Sequence, residues 1–97
     1  MKLRFTRRAT DDLQQIADYI KQTNPQAAKR VRAAIIRSLK VLILFPRIGR
    51  RQSTENVRKI VTRRYPYIVY YVIDVPNEDV VILTIQHPAR ERPYSDR

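Results

Sequence analysis

The spacing of hydrophobic residues changes along the chain and divides it into six predicted elements. Leu3 and Phe5 alternate with charged residues near the start of the chain, which predicts a short half-buried strand. Apolar residues then recur every three or four positions through two successive stretches, which predicts two amphipathic helices. Three β-rich runs follow, at residues 57–62, 67–74 and 80–86. The predicted order is strand, helix, helix, strand, strand, strand.

Residues with strong capping preferences mark the ends of the predicted helices. Thr6 is expected to cap the first helix, which ends near Thr23. Asn24 and Pro25 form a cap followed by a first-turn proline, so the two helices make a hairpin. Pro46 and the single glycine, Gly49, then close the second helix and open a polar loop over residues 50–56.

These elements predict an α+β fold in which the helix hairpin packs on one face of a mainly antiparallel sheet. The turns at residues 63–66 and 76–79 have lengths that suit antiparallel hairpins. A chain of 97 residues supports one hydrophobic core, so a single domain over residues 1–97 is expected. Residues 87–97 have no hydrophobic period and are predicted to form an irregular C-terminal tail.

The two helices are predicted to carry charge of opposite sign on their outer faces. Asp11, Asp12 and Asp18 are placed on the outer face of the first helix. The second helix has an inward apolar stripe and a cationic face, and two further isoleucines lie between them, which makes its apolar band wider than one core contact needs. We therefore predict a binding surface for an acidic protein on this helix. Its members are Arg30, Ile36, Arg37, Lys40 and Ile43.

Charge is strongly unbalanced. Twenty Lys and Arg against nine Asp and Glu give a net charge of +11, and no acidic residue occurs between Tyr19 and Thr54. Such a field favours encounter with nucleic acid, an anionic surface or an acidic protein. The chain has no cysteine and no apolar run long enough to span a bilayer, so we expect a cytoplasmic protein without disulfides that binds no membrane.

Several kinds of chemistry lack the residues that they need. The single histidine, His87, has no companion metal ligand, and one glycine cannot build a phosphate-binding loop, so no metal or other cofactor is expected. A cationic and aromatic set remains around the last strands and the tail. It consists of Arg58, Lys59, Arg63, Arg64, Tyr67, Tyr71, His87, Arg90, Arg92 and Tyr94. Such residues can cleave RNA without a metal, stack on bases, or simply pack and pair, and their types favour binding over catalysis.

Five groups of residues, in this order and spacing, resemble the RelE/ParE superfamily of type II toxin–antitoxin toxins. They are Ala9-Thr10-Asp11-Asp12-Leu13 with Ile16 and Tyr19-Ile20, Pro25 with Ala27-Ala28, Leu44-Phe45-Pro46-Arg47-Ile48-Gly49-Arg50, Tyr65-Pro66-Tyr67-Ile68-Val69-Tyr70-Tyr71-Val72, and Ile85-Gln86-His87 with Arg90. The resemblance spans almost the whole chain. It implies the fold predicted above and a toxin that a small acidic antitoxin neutralises in a hetero-oligomeric complex.

Members of this superfamily follow one of two activities. RelE-like toxins cleave messenger RNA on the ribosome, whereas ParE-like toxins, including the plasmid-stabilisation group, inhibit DNA gyrase. The RelE-like pattern has an arginine where this chain has Tyr67, and the run from Pro66 to Tyr70 is similar to ParE-like members. The segment from Arg90 to Tyr94, in contrast, looks like the basic end of RelE-like nucleases.

The resemblance therefore favours a gyrase inhibitor that is not an enzyme, with a metal-free messenger endoribonuclease as the alternative. For the inhibitor, the residues expected to touch the target are Arg90, Arg92 and Tyr94. For the nuclease, the candidate catalytic residues are Arg63, Arg64, His87, Arg90, Arg92 and Tyr94.

Overall fold

Five strands form one mixed sheet, and two helices cover one of its faces. The computed structural model describes residues 1–92 and residue 94. The elements are β1 (Lys2–Phe5), α1 (Arg7–Lys21), α2 (Pro25–Leu44), β2 (Arg50–Arg51), β3 (Arg58–Val61), β4 (Ile68–Asp74), β5 (Asp79–Gln86) and one 3₁₀ turn (Pro88–Arg90). This architecture confirms the predicted α+β fold.

Both helices begin at the positions that their capping residues predicted. The Thr6 hydroxyl accepts a hydrogen bond from the Ala9 N–H at 3.0 Å, and the Asn24 side chain accepts one from the Ala27 N–H at 3.0 Å. Each contact satisfies one of the N–H groups that a helix leaves without a partner in its first turn. Pro25 occupies the first turn of α2, where its missing N–H costs nothing.

The sheet has the order β1-β5-β4-β3-β2, so β4 lies at its centre. The three pairs β2·β3, β3·β4 and β4·β5 are antiparallel, whereas β1 pairs with β5 in parallel, with Leu3 opposite Val80. Most of β4 is buried because both of its faces and both of its edges are covered. The parallel pair makes the sheet mixed and brings the first strand of the chain beside the last.

Side chains of β4 alternate between two apolar clusters. Val69 and Tyr71 face the helices and join the main core with Ile35 and Leu39 of α2. Residues on the opposite face of β4, such as Tyr70, join a smaller cluster in which no helical residue takes part. The sheet is therefore packed on both faces, although the helices cover only one.

A β-bulge in β5 is held by α1. Tyr70 pairs with Thr84 while Tyr71 pairs with Ile82, so Leu83 is an extra residue without a partner on β4. The Thr6 hydroxyl donates to the Leu83 carbonyl at 2.8 Å. On the far side of the bulge, Asp12 accepts hydrogen bonds from the Thr84 hydroxyl and the Ile85 N–H. Bulges leave ladder groups unpaired, and here side chains of the helix supply the missing partners.

Two predictions about local structure are wrong. Asp12 was expected on the outer face of the first helix, but it is half-buried against β5 because the bulge offers two donors to its carboxylate. Residues 50–56 were expected to form a polar loop, but Arg50–Arg51 form a short edge strand that pairs with β3.

Neither described helix is long and apolar enough to cross a membrane.

The segment after β5 has more structure than its sequence pattern indicated. Pro88–Arg90 form a 3₁₀ turn, and Tyr94 packs against the cluster that includes Tyr70. Tyr94 thus contributes a packed aromatic side chain to a segment that was predicted to be an irregular tail.

Candidate functional site

An open cleft lies between α1 and the ends of β4 and β5 that are near the 3₁₀ turn. It has a volume of about 580 Å³. The residues that line it are Asp12, Gln15, Ile16, Tyr19, Tyr67, Ile85, Gln86, His87, Ala89 and Arg90. Two of the residues selected from the sequence as nuclease candidates, His87 and Arg90, thus lie together in this cleft.

The aromatic wall of the cleft is built from Tyr67 and His87. Their ring centroids are 5.9 Å apart and their planes are nearly perpendicular, an edge-to-face contact. Burial raises the pKa of Tyr67, so its phenol remains neutral at physiological pH. Tyr67 therefore brings a neutral ring to the position where the RelE-like pattern has a cation.

One nitrogen of His87 is already used by the backbone. Its Nδ1 accepts a hydrogen bond from the Ala89 N–H at 3.0 Å and thereby caps the 3₁₀ turn. A neutral imidazole that accepts at Nδ1 carries its proton on Nε2. In this arrangement the other nitrogen of His87, Nε2, can donate a hydrogen bond.

The acidic wall of the cleft was missed by the sequence analysis. Asp12, at three residues from Ala9 and four from Ile16, flanks the apolar stripe of α1, which is the signal that could have placed it against the sheet. One carboxylate oxygen of Asp12, Oδ2, accepts both hydrogen bonds from the β5 bulge, and these contacts fix its position.

Arg63 and Arg64 do not line the cleft. Both are exposed in the turn between β3 and β4, where the Arg63 N–H donates to the Ser38 hydroxyl at 3.3 Å. Arg64 has a φ of 67° and its guanidinium lies 5.6 Å from the centre of the Tyr65 ring. The structure therefore separates these two arginines from His87 and Arg90.

The residues expected to touch the target are also separated. Arg90 lines the cleft, on the helix side of the sheet. The exposed Arg92 donates its N–H to the Gln86 side chain at 2.9 Å, and Tyr94 lies 6.1 Å from the Tyr70 ring on the opposite side of the sheet. Arg90, Arg92 and Tyr94 thus do not form one compact surface.

Glu91 attaches the segment after β5 to the back of the sheet, the face that the helices do not cover. It forms an ion pair with Lys59 of β3 and accepts a hydrogen bond from the Tyr70 hydroxyl at 3.2 Å. The Lys59 ammonium lowers the pKa of Glu91, and burial together with Glu91 raises the pKa of Tyr70. The contact is partly exposed to water, so its contribution to stability is small.

The predicted protein-binding face of α2 is cationic along its whole length. Arg30, Arg37 and Lys40 are exposed. Ile36 and Ile43 are only partly exposed, and Ile36 packs against the main core. The surplus apolar surface that the sequence placed at these two isoleucines lies instead at the end of the helix.

That surplus surface is a group of exposed apolar side chains, which we call the knob: Val41, Leu44, Phe45 and Ile48. Among the residues that the structure describes, these are four of the eight large apolar side chains that are exposed. A shallow apolar groove of about 360 Å³ runs beside Phe45 and Ile48.

The loop of residues 45–49, which carries Phe45 and Ile48 of the knob, is hydrogen-bonded to two side chains of the sheet. The buried Tyr71 hydroxyl donates to the Pro46 carbonyl at 2.7 Å and accepts from the Gly49 N–H at 2.9 Å. Arg58 donates to the carbonyls of Arg47 and Gly49 at 3.0 and 2.8 Å. A Cβ atom at Gly49 would lie 2.7 Å from Tyr71 Cε1, so only glycine permits this approach.

The family model described as the ParE toxin of the type II toxin–antitoxin system parDE matches residues 3–92. The chain belongs to the ParE toxin family. Its sequence is 36% identical over 92 residues to the putative toxin Y4kP of Sinorhizobium fredii, covering 95% of this chain and 93% of that protein. It is 38% identical over 87 residues to toxin RelE2 of Caulobacter vibrioides, covering 89% and 93% of the two proteins.

Solved structures of toxin–antitoxin systems share the fold of this ParE-family toxin. The chromosomal ParDE system from P. aeruginosa matches with a TM-score of 0.77 and 26% identity, over 90% of this chain and 95% of that one. The intact E. coli RelBE toxin–antitoxin complex matches in fold with a TM-score of 0.61 and 19% identity, over 94% and 98%. The family assignment by resemblance is thereby confirmed.

Proposed function

We propose that this ParE-family toxin stops growth in the cytoplasm by inhibiting DNA gyrase, without chemistry of its own. The observation that carries the proposal is the neutral Tyr67 ring in the cleft. The transition state of phosphodiester cleavage concentrates negative charge, and a preorganised cation that meets this charge is typically worth about 10² to 10³ in rate. Inhibition by contact requires no such cation.

The position of His87 supports the same proposal. Its Nδ1 caps the 3₁₀ turn, so this nitrogen is not available to an attacking hydroxyl unless the cap opens. Arg63 and Arg64, the cations that could replace the missing arginine, lie in an exposed turn away from the cleft lining. The cleft thus combines one candidate cation, Arg90, with a donor histidine and a neutral tyrosine.

The partner that we propose is an acidic antitoxin that binds the cationic face of α2 in a hetero-oligomeric complex. Residues 19–54 carry nine Lys and Arg and no acidic residue. Opposite charges accelerate the encounter of two proteins, and the exposed positions of Arg30, Arg37 and Lys40 make them available for it.

The proposal is tested by adding the purified toxin to purified gyrase and, separately, to translating ribosomes. Supercoiling is expected to fall with toxin concentration and to recover when the antitoxin is added, while ribosome-bound messenger remains intact. Messenger cleavage at codon boundaries that is lost in Arg90→Ala but kept in Arg8→Ala, a change of an exposed α1 arginine, would overturn the proposal.

A messenger endoribonuclease remains the second candidate because two observations favour it. Toxin RelE2 of Caulobacter vibrioides is 38% identical to this chain, and the structure brings His87 and Arg90 into one cleft. In that case, Arg92 and Tyr94 would have to leave their present contacts in order to reach the cleft.

A further inference from the structure

The knob consists of large apolar side chains that are exposed to solvent and not buried in the core. The exposed fractions of Leu44, Phe45 and Ile48 are 75%, 59% and 62%. A single exposed apolar residue needs no explanation, but several side chains that project from one helix end form a patch of the kind that marks interaction sites.

The loop that displays the knob is preorganised. Four hydrogen bonds from Tyr71 and Arg58 join its backbone to the sheet, and the Ile48 N–H closes a turn on the Phe45 carbonyl at 3.2 Å. Ordering a flexible loop weakens association, so a loop that is already fixed loses little entropy when it binds. The contacts of Tyr71 and Arg58 thus give Phe45 and Ile48 a defined position in the free protein.

The surroundings of the knob are cationic. Arg47 and Arg50 flank Ile48 and are exposed, and Lys40 lies one turn before Leu44 on α2. No acidic residue occurs within the segment of residues 19–54 that contains them all. Phenylalanine and arginine are both enriched at protein interfaces, and the positive charge around the knob favours an acidic partner surface.

The fixed loop of the knob separates two kinds of protein partner. The proposed antitoxin surface, which includes Arg30, Arg37 and Lys40, is cationic, whereas the centre of the knob is apolar. A patch on a loop that is already ordered suits a surface that exists beforehand in a folded protein, because neither partner then loses much entropy on binding. The knob shares no residue with the proposed antitoxin surface or with the lining of the cleft.

We infer that the knob is the surface by which the toxin engages its folded cellular target, where Phe45 and Ile48 enter an apolar pocket with an acidic rim. The inference rests on the proposed function for the identity of that target as gyrase. It assigns the target contact to the end of α2 and not to Arg90, Arg92 and Tyr94.

The test uses Phe45→Ser/Ile48→Ser and Arg47→Glu in the full chain. Val75→Ser, at an equally exposed apolar position in the β4–β5 turn, and Arg8→Glu are the matched controls. Growth arrest in cells, inhibition of gyrase, affinity for the antitoxin and the circular dichroism spectrum are measured for each. The knob variants are expected to keep their fold, to bind the antitoxin within about twofold of their matched controls, and to lose at least tenfold in growth arrest and gyrase inhibition.

Three outcomes overturn the inference. Knob variants that remain as toxic as the controls show that the target binds elsewhere. Variants that lose antitoxin affinity but keep toxicity show that the antitoxin occupies the knob. Loss of toxicity in Val75→Ser as well shows that the effect is not local.

Failure of the proposed function gives a different pattern. If the unmodified toxin arrests growth but leaves gyrase active, the gyrase proposal fails, and the growth-arrest comparison alone decides the role of the knob. Loss of arrest in Phe45→Ser/Ile48→Ser then still supports a target contact there.

Discussion

Tyr71 connects the central strand β4 to the loop of residues 45–49 through a single hydroxyl group. The same oxygen donates to Pro46 and accepts from Gly49, while its aromatic ring fills the main core. Burial raises the pKa of Tyr71, and the Gly49 N–H and Arg58 oppose that rise without cancelling it. The hydroxyl therefore stays protonated and keeps both contacts across the physiological pH range.

Tyr71→Phe is expected to lower the free energy of unfolding by about 1–3 kcal/mol, because it leaves a backbone donor and an acceptor in the loop without partners. Gly49→Ala is expected to lower it by a similar amount, about 1–3 kcal/mol, since the added methyl group would overlap the Tyr71 ring. Urea unfolding measures both. If Gly49→Ala is as stable as the unmodified chain, the loop does not approach Tyr71 as closely as described.

Asp12 and Asp11 offer a test of the bulge contact, because they are neighbours with different surroundings. Asp12→Ala leaves the Thr84 hydroxyl and the Ile85 N–H unpaired and is expected to cost about 1–3 kcal/mol of stability. Asp11→Ala, at an exposed position, is expected to change stability by less than about 0.5 kcal/mol. Equal effects in thermal unfolding would contradict the contact. Asp12→Asn, which keeps an acceptor oxygen, is expected to lie between the two.

Elements whose ends depend on neighbours in sequence could be predicted, and elements that depend on distant partners could not. Thr6, Asn24 and Pro25 act on backbone groups within three residues, so the sequence placed both helix starts correctly. The strand at Arg50–Arg51 exists only because β3 lies beside it, and no local pattern reveals such a partner.

The candidate site follows the same division. His87 and Arg90 lie near each other in sequence and were selected together, and the structure places both in the cleft. Asp12 reaches the same cleft from a position 75 residues before His87, through a bulge that no sequence pattern announces. Arg63 and Arg64 were selected by charge alone, and charge does not specify the direction in which a turn points.

The C-terminal segment is expected to contribute to stability as well as to activity. Tyr94→Ala removes a half-buried ring from the back of the sheet and is expected to cost about 1 kcal/mol. For a domain of this size, that loss lowers the thermal midpoint by roughly 4–8 °C. Arg92→Ala, whose side chain is exposed, is the control for the same measurement. An unchanged midpoint in Tyr94→Ala would show that the segment is not attached to the sheet.

The attachment is also expected to depend on pH through Glu91. Its pKa is lower in the folded protein than in the unfolded chain, so the ionised form stabilises the attachment above the ordinary glutamate pKa of about 4.3. The stabilisation is lost as the pH falls through the folded value. Below the folded pKa of Glu91, the contact between Tyr94 and Tyr70 is therefore expected to weaken, and NMR signals of the two rings followed during an acid titration measure this change. In Glu91→Gln the same signals should change little over that range.

At the scale of the whole molecule, the net charge of +11 predicts how the antitoxin binds. Raising the ionic strength from low to several hundred millimolar is expected to reduce the association rate roughly tenfold and to change the dissociation rate little. Arg37→Glu, on the exposed face of α2, should reproduce part of this reduction at low salt. Stopped-flow binding measures both rates. An association rate that is independent of salt would contradict an electrostatic encounter.

The parallel pairing of β1 with β5 bears on when the toxin becomes active during its synthesis. Lys2 pairs with Asp79 and Phe5 with Ile82, so the first strand cannot enter the sheet until the last strand exists. Contacts between residues so distant in sequence form late in folding. A ribosome must therefore release the chain through β5 before the sheet closes, and the sheet of a nascent toxin is incomplete until then. The interval before closure is time in which an antitoxin already present in the cell can meet the new chain.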